Sequence, residues 1–180
     1  MDLIVTRHGQ TNWNKEGIVQ GHIDIELNEE GRNQALIVKD LLKDEPIDLI
    51  LCSPLKRAKE TAKIIKGDRD ILVIYVNDLI ERDFGEFEGL TANDFDLEGF
   101  YKLHTNQQYE KAETSNEFID RVFECLRKIK KDYKNYQNVL IVTHAGVTAA
   151  IDCYFYGTIY VDNMRDHVLK NCEVKKYEYR

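Results

Sequence analysis

Asp2-Leu3-Ile4-Val5-Thr6-Arg7-His8-Gly9 is a short apolar run that ends abruptly in an arginine, a histidine and a glycine. Asp2 to Thr6 has the length and aliphatic content of a buried strand, and the polar tripeptide follows it directly. The same design recurs late in the chain, where Val139 to Thr143 runs apolar into His144-Ala145-Gly146. Ile47 to Cys52, Ile71 to Val76 and a last segment near Glu173 to Tyr179 also read as strands. Between them the spacing is helical. Asn28 to Lys43 has an Asn cap, acids in its first turn, and Ala35, Val38 and Leu42 on one face. Ser53-Pro54 has the cap-then-proline order of a helix start, and Leu55, Ala58, Ala62 and Ile65 keep helical spacing up to Gly67. Thr114-x-x-Glu117 makes a capping box for a long helix with Phe118, Val122, Leu126, Ile129 and Tyr133 on its buried stripe. A further helix runs from about Ala145 to Tyr156. This alternation predicts an α/β three-layer sandwich, with a mainly parallel central sheet flanked by helices.

With two prolines, ten glycines and no Ser/Gly-rich tract, residues 1–180 offer no linker and predict a single domain. The stretch from Asn77 to Glu113 is the exception to regular patterning. Gly85, Gly89 and Gly99 break it, so it is expected to form an irregular, lid-like insert, a kind of loop that is usually functional.

The chain carries 32 acidic and 25 basic residues, a net charge of −7, and its pI is about 5.3. Such a surface argues against nucleic acid as a partner, because phosphate-backbone binders present a basic face. A few cations in a cleft could still bind a small anion. Met1-Asp2-Leu3-Ile4-Val5 lacks the basic start and long apolar run of a signal peptide, and no segment approaches the ~18 apolar residues of a membrane helix. Cys52, Cys125, Cys153 and Cys172 are far apart with no C-x-x-C pair, which fits reduced thiols and a cytoplasmic location. No membrane partner is expected, and oligomeric state is unreadable.

Ligands of parallel sheets bind at the carboxyl ends of strands, and three such ends here carry polar residues: Arg7-His8-Gly9, Ser53 to Arg57, and Thr143 to Gly146. Two histidines and two arginines converging there would make a cationic cup suited to phosphate, whose oxygens match a guanidinium fork. Gly9 would let a ligand approach the backbone closely. Arg57 falls in the first turn of its helix, where backbone N–H groups would add positive potential, as at the helix after His144. No H-E-x-x-H, Cys/His cluster or acidic calcium loop is present, so neither a metal nor a cofactor is expected. His22, His104 and His167 match no element of the cup and read as surface residues. Trp13 is expected to shape its loop.

The ordered motifs resemble the histidine phosphatase superfamily, which includes cofactor-dependent phosphoglycerate mutase and many small phosphatases. They run Arg7-His8-Gly9, Trp13-Asn14, Gln20-Gly21-x-x-Asp24-x-x-Leu27-x-x-x-Gly31-x-x-Gln34-Ala35, then Ser53-Pro54-Leu55-x-Arg57-Ala58-x-x-Thr61-Ala62. Glu81-x-x-Phe84-Gly85-x-x-Glu88-Gly89, Glu113-x-Ser115-x-x-Phe118-x-x-Arg121 and Val142-Thr143-His144-Ala145-Gly146 follow. The likeness covers roughly residues 1 to 150 and is loose beyond Tyr156. It implies a phosphoglycerate mutase-like fold and a phosphohistidine intermediate. In it His8 is the nucleophile, Arg7, Arg57 and His144 hold the equatorial oxygens, and Glu81 donates the proton to the leaving oxygen. Such an acid needs partial burial and nearby phosphate charge to hold its proton, and Glu86 and Glu88 are rivals for the role. Asn14, Gln20 and Gly21 are candidate contacts to phosphate or substrate.

The implied activity is metal-independent hydrolysis of a phosphomonoester, with a small phosphorylated metabolite as partner. The resemblance also admits a phosphoglycerate mutase, and the cup alone would suit a non-catalytic phosphate-binding module. Against a mutase, Gly89 to Ser115 holds no arginine and just Lys102 and Lys111 as cations, opposite Asp94, Asp96, Glu98, Glu110 and Glu113. Sugar phosphates, phosphoamino acids, nucleotide-like phosphates and α-ribazole phosphate are all substrates within the family, and no motif here selects among them.

Overall fold

The computed structural model of the chain describes residues 1–102, 108–157 and 163–179. Its strands are β1 (Asp2–Arg7), β2 (Leu49–Cys52), β3 (Leu72–Tyr75), β4 (Asn138–Thr143) and β5 (Val174–Glu178). They form one sheet in the order β3-β2-β4-β1-β5. Every pairing is parallel except that of β5, which runs antiparallel along β1 at the edge. Arg7 lies opposite Thr143, and Cys52 opposite Val142, so the three central strands end level with one another. The site residues follow those ends.

Both faces of the sheet are covered, which is why its central strands are apolar throughout rather than alternating. Leu3, Val5, Leu51 and Ile141 pack under α5 (Ser115–Asp132) and α6 (Ala145–Tyr156), whereas Ile4, Ile50, Leu140 and Val142 pack under α2 (Glu29–Leu41) and α3 (Lys56–Lys66). Truncating a fully buried member such as Leu51 to alanine would cost about 2–5 kcal/mol. The three-layer α/β architecture read from the sequence is the one observed.

Three local readings change. α3 begins at Lys56 behind Leu55, which makes no side-chain cap. Ser53 is therefore not the helix cap: its hydroxyl reaches the Leu55 N–H at 3.4 Å and the His144 ring at 2.7 Å. Second, Asn12–Glu16 form a short helix, α1, that periodicity does not predict, closed by a capping box between Thr11 and Asn14. Third, the described part of the 77–113 insert holds 3-10 turns at Asn77–Leu79 and Gly85–Phe87 and a five-residue helix, α4 (Leu97–Tyr101). Part of it enters the core. Leu79, Phe84, Phe100 and Tyr101 join the core beneath α5 and α6, and Phe100 stacks on Tyr109 at 4.0 Å between ring centres. His104 lies outside the described residues.

The four cysteines are unpaired, three of them buried. Among the described residues no helix is long and apolar enough to cross a membrane.

Candidate active site

His8 follows β1 and continues its ladder, its N–H donating to Thr143 O at 2.9 Å. The side chain is 2% exposed, and Nδ1 lies 2.7 Å from Gly9 O. A carbonyl can only accept, so Nδ1 carries the proton and Nε2 keeps its lone pair. Burial, reinforced by Arg57 and then Arg7, holds the His8 pKa well below the ordinary 6.5. The ring is thus neutral at pH 7 and offers a nucleophilic nitrogen.

Gly9 has a different reason from the one its position suggests. A Cβ there would come 2.3 Å from Gly31 O, and one on Gly31 would come 2.1 Å from Gln10 O. The close approach is between this loop and the first turn of α2, not between the loop and a ligand. Gly9 N–H also donates to Thr61 Oγ1 at 3.0 Å, and that hydroxyl donates to Arg57 O at 2.7 Å, so α3 grips the loop from the other side.

Arg57, on the first turn of α3, is 1% exposed. Its Nε donates to His144 Nδ1 (3.2 Å), Nη1 to Ile23 O (2.8 Å) and Nη2 to Gly21 O (2.7 Å). Burial lowers its pKa to about 10, which still leaves it charged at neutral pH. Arg7 is tied more loosely. Nη1 donates to Leu169 O at 3.1 Å, while its Nε is buried with no partner among the described residues. A buried donor left unpaired costs about 1–3 kcal/mol, more for a charged group, and an oxyanion in the cavity would remove that cost. Burial also lowers the Arg7 pKa, against the pull of Glu81.

His144 is fully buried, and its Nδ1 accepts from Arg57, so Nε2 carries the proton and donates to Ser53 Oγ at 2.7 Å. Both nitrogens are taken by the protein. The resemblance gave His144 a direct hold on phosphate oxygens; in this structure it braces Arg57 and sits 5.1 Å from the His8 ring centre instead. Burial first, then Arg57, His8 and Arg7, keeps its pKa well below 6.5.

Glu81 is 6% exposed. Its Oε1 accepts from Arg82 N–H at 2.9 Å, and both carboxylate oxygens share the Gly146 N–H at 3.1 Å. A Cβ on Gly146 would lie 2.6 Å from Glu81 Oε1, which is why the residue after Ala145 has no side chain. Arg121 holds the strand of chain leading to Glu81: it donates to the carbonyls of Asp78, Ile80 and Glu81 and forks onto the Glu113 carboxylate at 2.8 and 2.9 Å. The two rival acids are placed differently. Glu88 accepts from the N–H groups of His22, Ile23 and Phe84, and Glu86 is exposed. The helix-end donors expected for phosphate are likewise used by acids of the chain, Lys56 N–H by Asp24 at 2.7 Å and Gly146 N–H by Glu81.

Arg7, His8, Asn14, Gln20, Gly21, Arg57 and Glu81 line one cavity of about 250 Å³. Asn14 Oδ1 accepts from Thr11 N–H and Asn171 Nδ2, and Gln20 Oε1 accepts from the Thr11 hydroxyl, so each amide keeps its NH2 group for a ligand. Gly21 contributes a carbonyl to Arg57 rather than a donor to the ligand. Tyr101 and Arg165 also line the cavity, and Asn171 bonds His8 O at 2.9 Å. Sequence reasoning missed these three, which sit in the insert and the tail without any local motif. It also missed Arg82, fully buried against Phe100 and donating to Glu113 O and Phe100 O. His22 is exposed as expected, yet its Nε2 donates to Glu81 O at 2.9 Å. His167 pairs with Asp152 at 2.6 Å, away from the cavity, and Trp13 packs near Gly89. Among the described residues no three His, Cys, Asp or Glu side chains group as metal ligands.

The model of the histidine phosphatase superfamily, branch 1, matches residues 3–180. The uncharacterized phosphatase PhoE of Bacillus subtilis is 38% identical over 149 residues, covering 83% of this chain and 74% of that protein. A metal-independent phosphoserine phosphatase of Arabidopsis thaliana is 35% identical over 159 residues, covering 83% of this chain and 66% of the other. The solved structure of YhfR from Bacillus stearothermophilus superposes with a TM-score of 0.89 at 28% identity, covering 99% of this chain and 91% of that one. The family model spans nearly the whole described fold and the site at its strand ends, and the chain belongs to the histidine phosphatase superfamily.

Proposed function

We propose that the protein hydrolyses a small phosphomonoester through a phosphohistidine on His8, without a metal ion. The observation that carries this reading is the pairing of a neutral His8, its Nε2 without a hydrogen-bond partner among the described residues, with an Nε of Arg7 that likewise lacks one there, in the same cavity. The Nε2 lone pair forms a P–N bond as the ester P–O bond breaks, and the leaving oxygen takes its electron pair with a proton from Glu81. Water then gives a proton to the Glu81 carboxylate and attacks phosphorus, and the P–N electron pair returns to His8. Alcohol and phosphate leave, and both side chains are restored.

Arg7 and Arg57 supply the positive charge that a metal would otherwise bring, and a preorganised dry cup makes such charges effective. His144, Thr61 and Ser53 keep them in place. Names among the relatives, including a metal-independent phosphoserine phosphatase, support phosphate release over mutase chemistry.

The test is a phosphomonoester panel assayed with and without EDTA. Phosphate release that is unchanged by chelation and inhibited by vanadate is the expected result. Loss of activity on chelation, restored by magnesium or zinc, contradicts the metal-independent mechanism. Interconversion of 2- and 3-phosphoglycerate far faster than phosphate release would make the protein a mutase.

A further inference from the structure

The cavity has a second end. Arg165 reaches its wall from the 3-10 turn Met164–His167, and that turn is pinned on both sides. Met164 is fully buried, and His167 Nδ1 meets Asp152 of α6 at 2.6 Å. The Arg165 backbone N–H bonds Asn163 Oδ1 at 2.9 Å, but its guanidinium is exposed and has no hydrogen-bond or ion-pair partner among the described residues.

Tyr101 lines the cavity together with this cation and the cup residues. Burial, then Glu81, raises its pKa, against the pull of Arg7, Arg82 and Arg165, so the phenol keeps its proton. Ile18, Val19 and Leu97 add apolar wall to the same cavity. At the deep end the two arginines face Glu81; at the mouth one guanidinium faces no acid of its own. The volume of about 250 Å³ lies just below the ~300–1,000 Å³ of most small-molecule pockets, so a ligand held at both ends has to be short.

We infer that Arg165, with the Tyr101 hydroxyl, binds a second anionic group, and that the substrate is a short-chain phosphomonoester with a carboxylate at the end opposite its phosphate. This rests on the phosphatase reading of the cup. One planar fork matches one carboxylate. A bisphosphate with a carboxylate as well would demand more cations than the mouth supplies, and so Arg165 serves selection of a monophosphate rather than mutase retention of a doubly phosphorylated intermediate.

Two matched pairs test this: 3-phosphoglycerate against glycerol 3-phosphate, and O-phosphoserine against phosphoethanolamine, each pair differing by the carboxylate. The wild type should favour the carboxylate member in kcat/KM by about fivefold to tenfold, the worth of one partly exposed charge-assisted contact. The difference should sit mainly in KM. Arg165→Ala should bring the ratio close to one, Arg165→Glu should take it below one, and Arg127→Ala on the outer face of α5 should leave it as in the wild type. Equal hydrolysis of both members by the wild type, or a ratio that survives both Arg165 changes, overturns this inference and leaves the phosphatase reading intact. Failure to hydrolyse any ester sinks the phosphatase reading instead. The inference is then decided by calorimetric Kd values for the same pairs on His8→Ala, where tighter binding of the carboxylate member upholds it and equal binding rejects it.

Discussion

His8 and Arg165 line the same cavity and are held in opposite ways. His8 is buried between two strand ends, its carbonyl bonded by Asn171, its loop gripped by α2 and α3, and its protonation set by its neighbours. Arg165 is exposed on a short turn, with its backbone anchored and its charge unpaired among the described residues. Preorganisation at the deep end is what chemistry on phosphorus requires, because the charges must not reorganise as the reaction proceeds. The mouth needs no such rigidity, and a single exposed charge there can change the preferred substrate without disturbing the reaction.

Removing the nucleophile breaks this contrast most severely. His8→Ala should lower turnover by at least ~10³-fold on every substrate, since no other side chain in the cup can take a phosphoryl group from that position. His8→Asn, closer in shape, should keep much of the fold; a variant with wild-type turnover would end the nucleophile assignment. Glu81→Gln comes next, with a loss of about 10²–10⁴-fold for alkyl phosphates and far less for activated aryl phosphates, because proton donation matters in proportion to leaving-group basicity. Equal losses on both would remove Glu81 from that role, and Gly146→Ala, which pushes a methyl to within 2.6 Å of Glu81 Oε1, should mimic the leaving-group pattern.

The deep end was legible because its signals are local. A strand followed at once by Arg7-His8-Gly9, or by His144-Ala145-Gly146, announces a site in a handful of residues, and the apolar strands gave the layers. What escaped depends on long-range contact. Ser53 reads as a cap on spacing alone, and only the neighbouring strand end shows that its partner is His144. α1 spans five residues, too few for a helical period to be visible. Arg82, Tyr101 and Arg165 come from the insert and the tail, where an arginine or tyrosine looks like any surface residue until the chain is folded. The local bonds of the insert's acids were not legible either: Asp94 bonds Thr91, Asp96 caps α4 and Glu113 clamps Arg121.

The smallest effect sharpens the comparison through pH. Both cup histidines have folded-state pKa values well below the ordinary 6.5. Below pH 6.5 the unfolded chain therefore binds protons that the folded one refuses, and stability falls as the pH drops from 6.5 toward the folded values. The slope is about 1 kcal/mol per pH unit for each fully shifted histidine. Denaturant melts at pH 7.5, 6.5 and 5.5 should show it, and His144→Asn should flatten it; Arg165→Ala, at an exposed position of the turn Met164–His167, should not. A slope unchanged by His144→Asn would mean that the ring is not held neutral.

The central claim, that the phosphoryl group passes through His8, is tested most directly by trapping it. Acid-sensitive, base-stable radiolabel should appear on the wild type after rapid quenching from a labelled phosphomonoester, and peptide mapping should place it on the segment Asp2 to Gln10. The label should vanish in His8→Ala and accumulate in Glu81→Gln turning over an activated aryl phosphate, where the first step survives and the second slows. Label that is stable to acid, carried on a serine, or retained by His8→Ala would contradict the account.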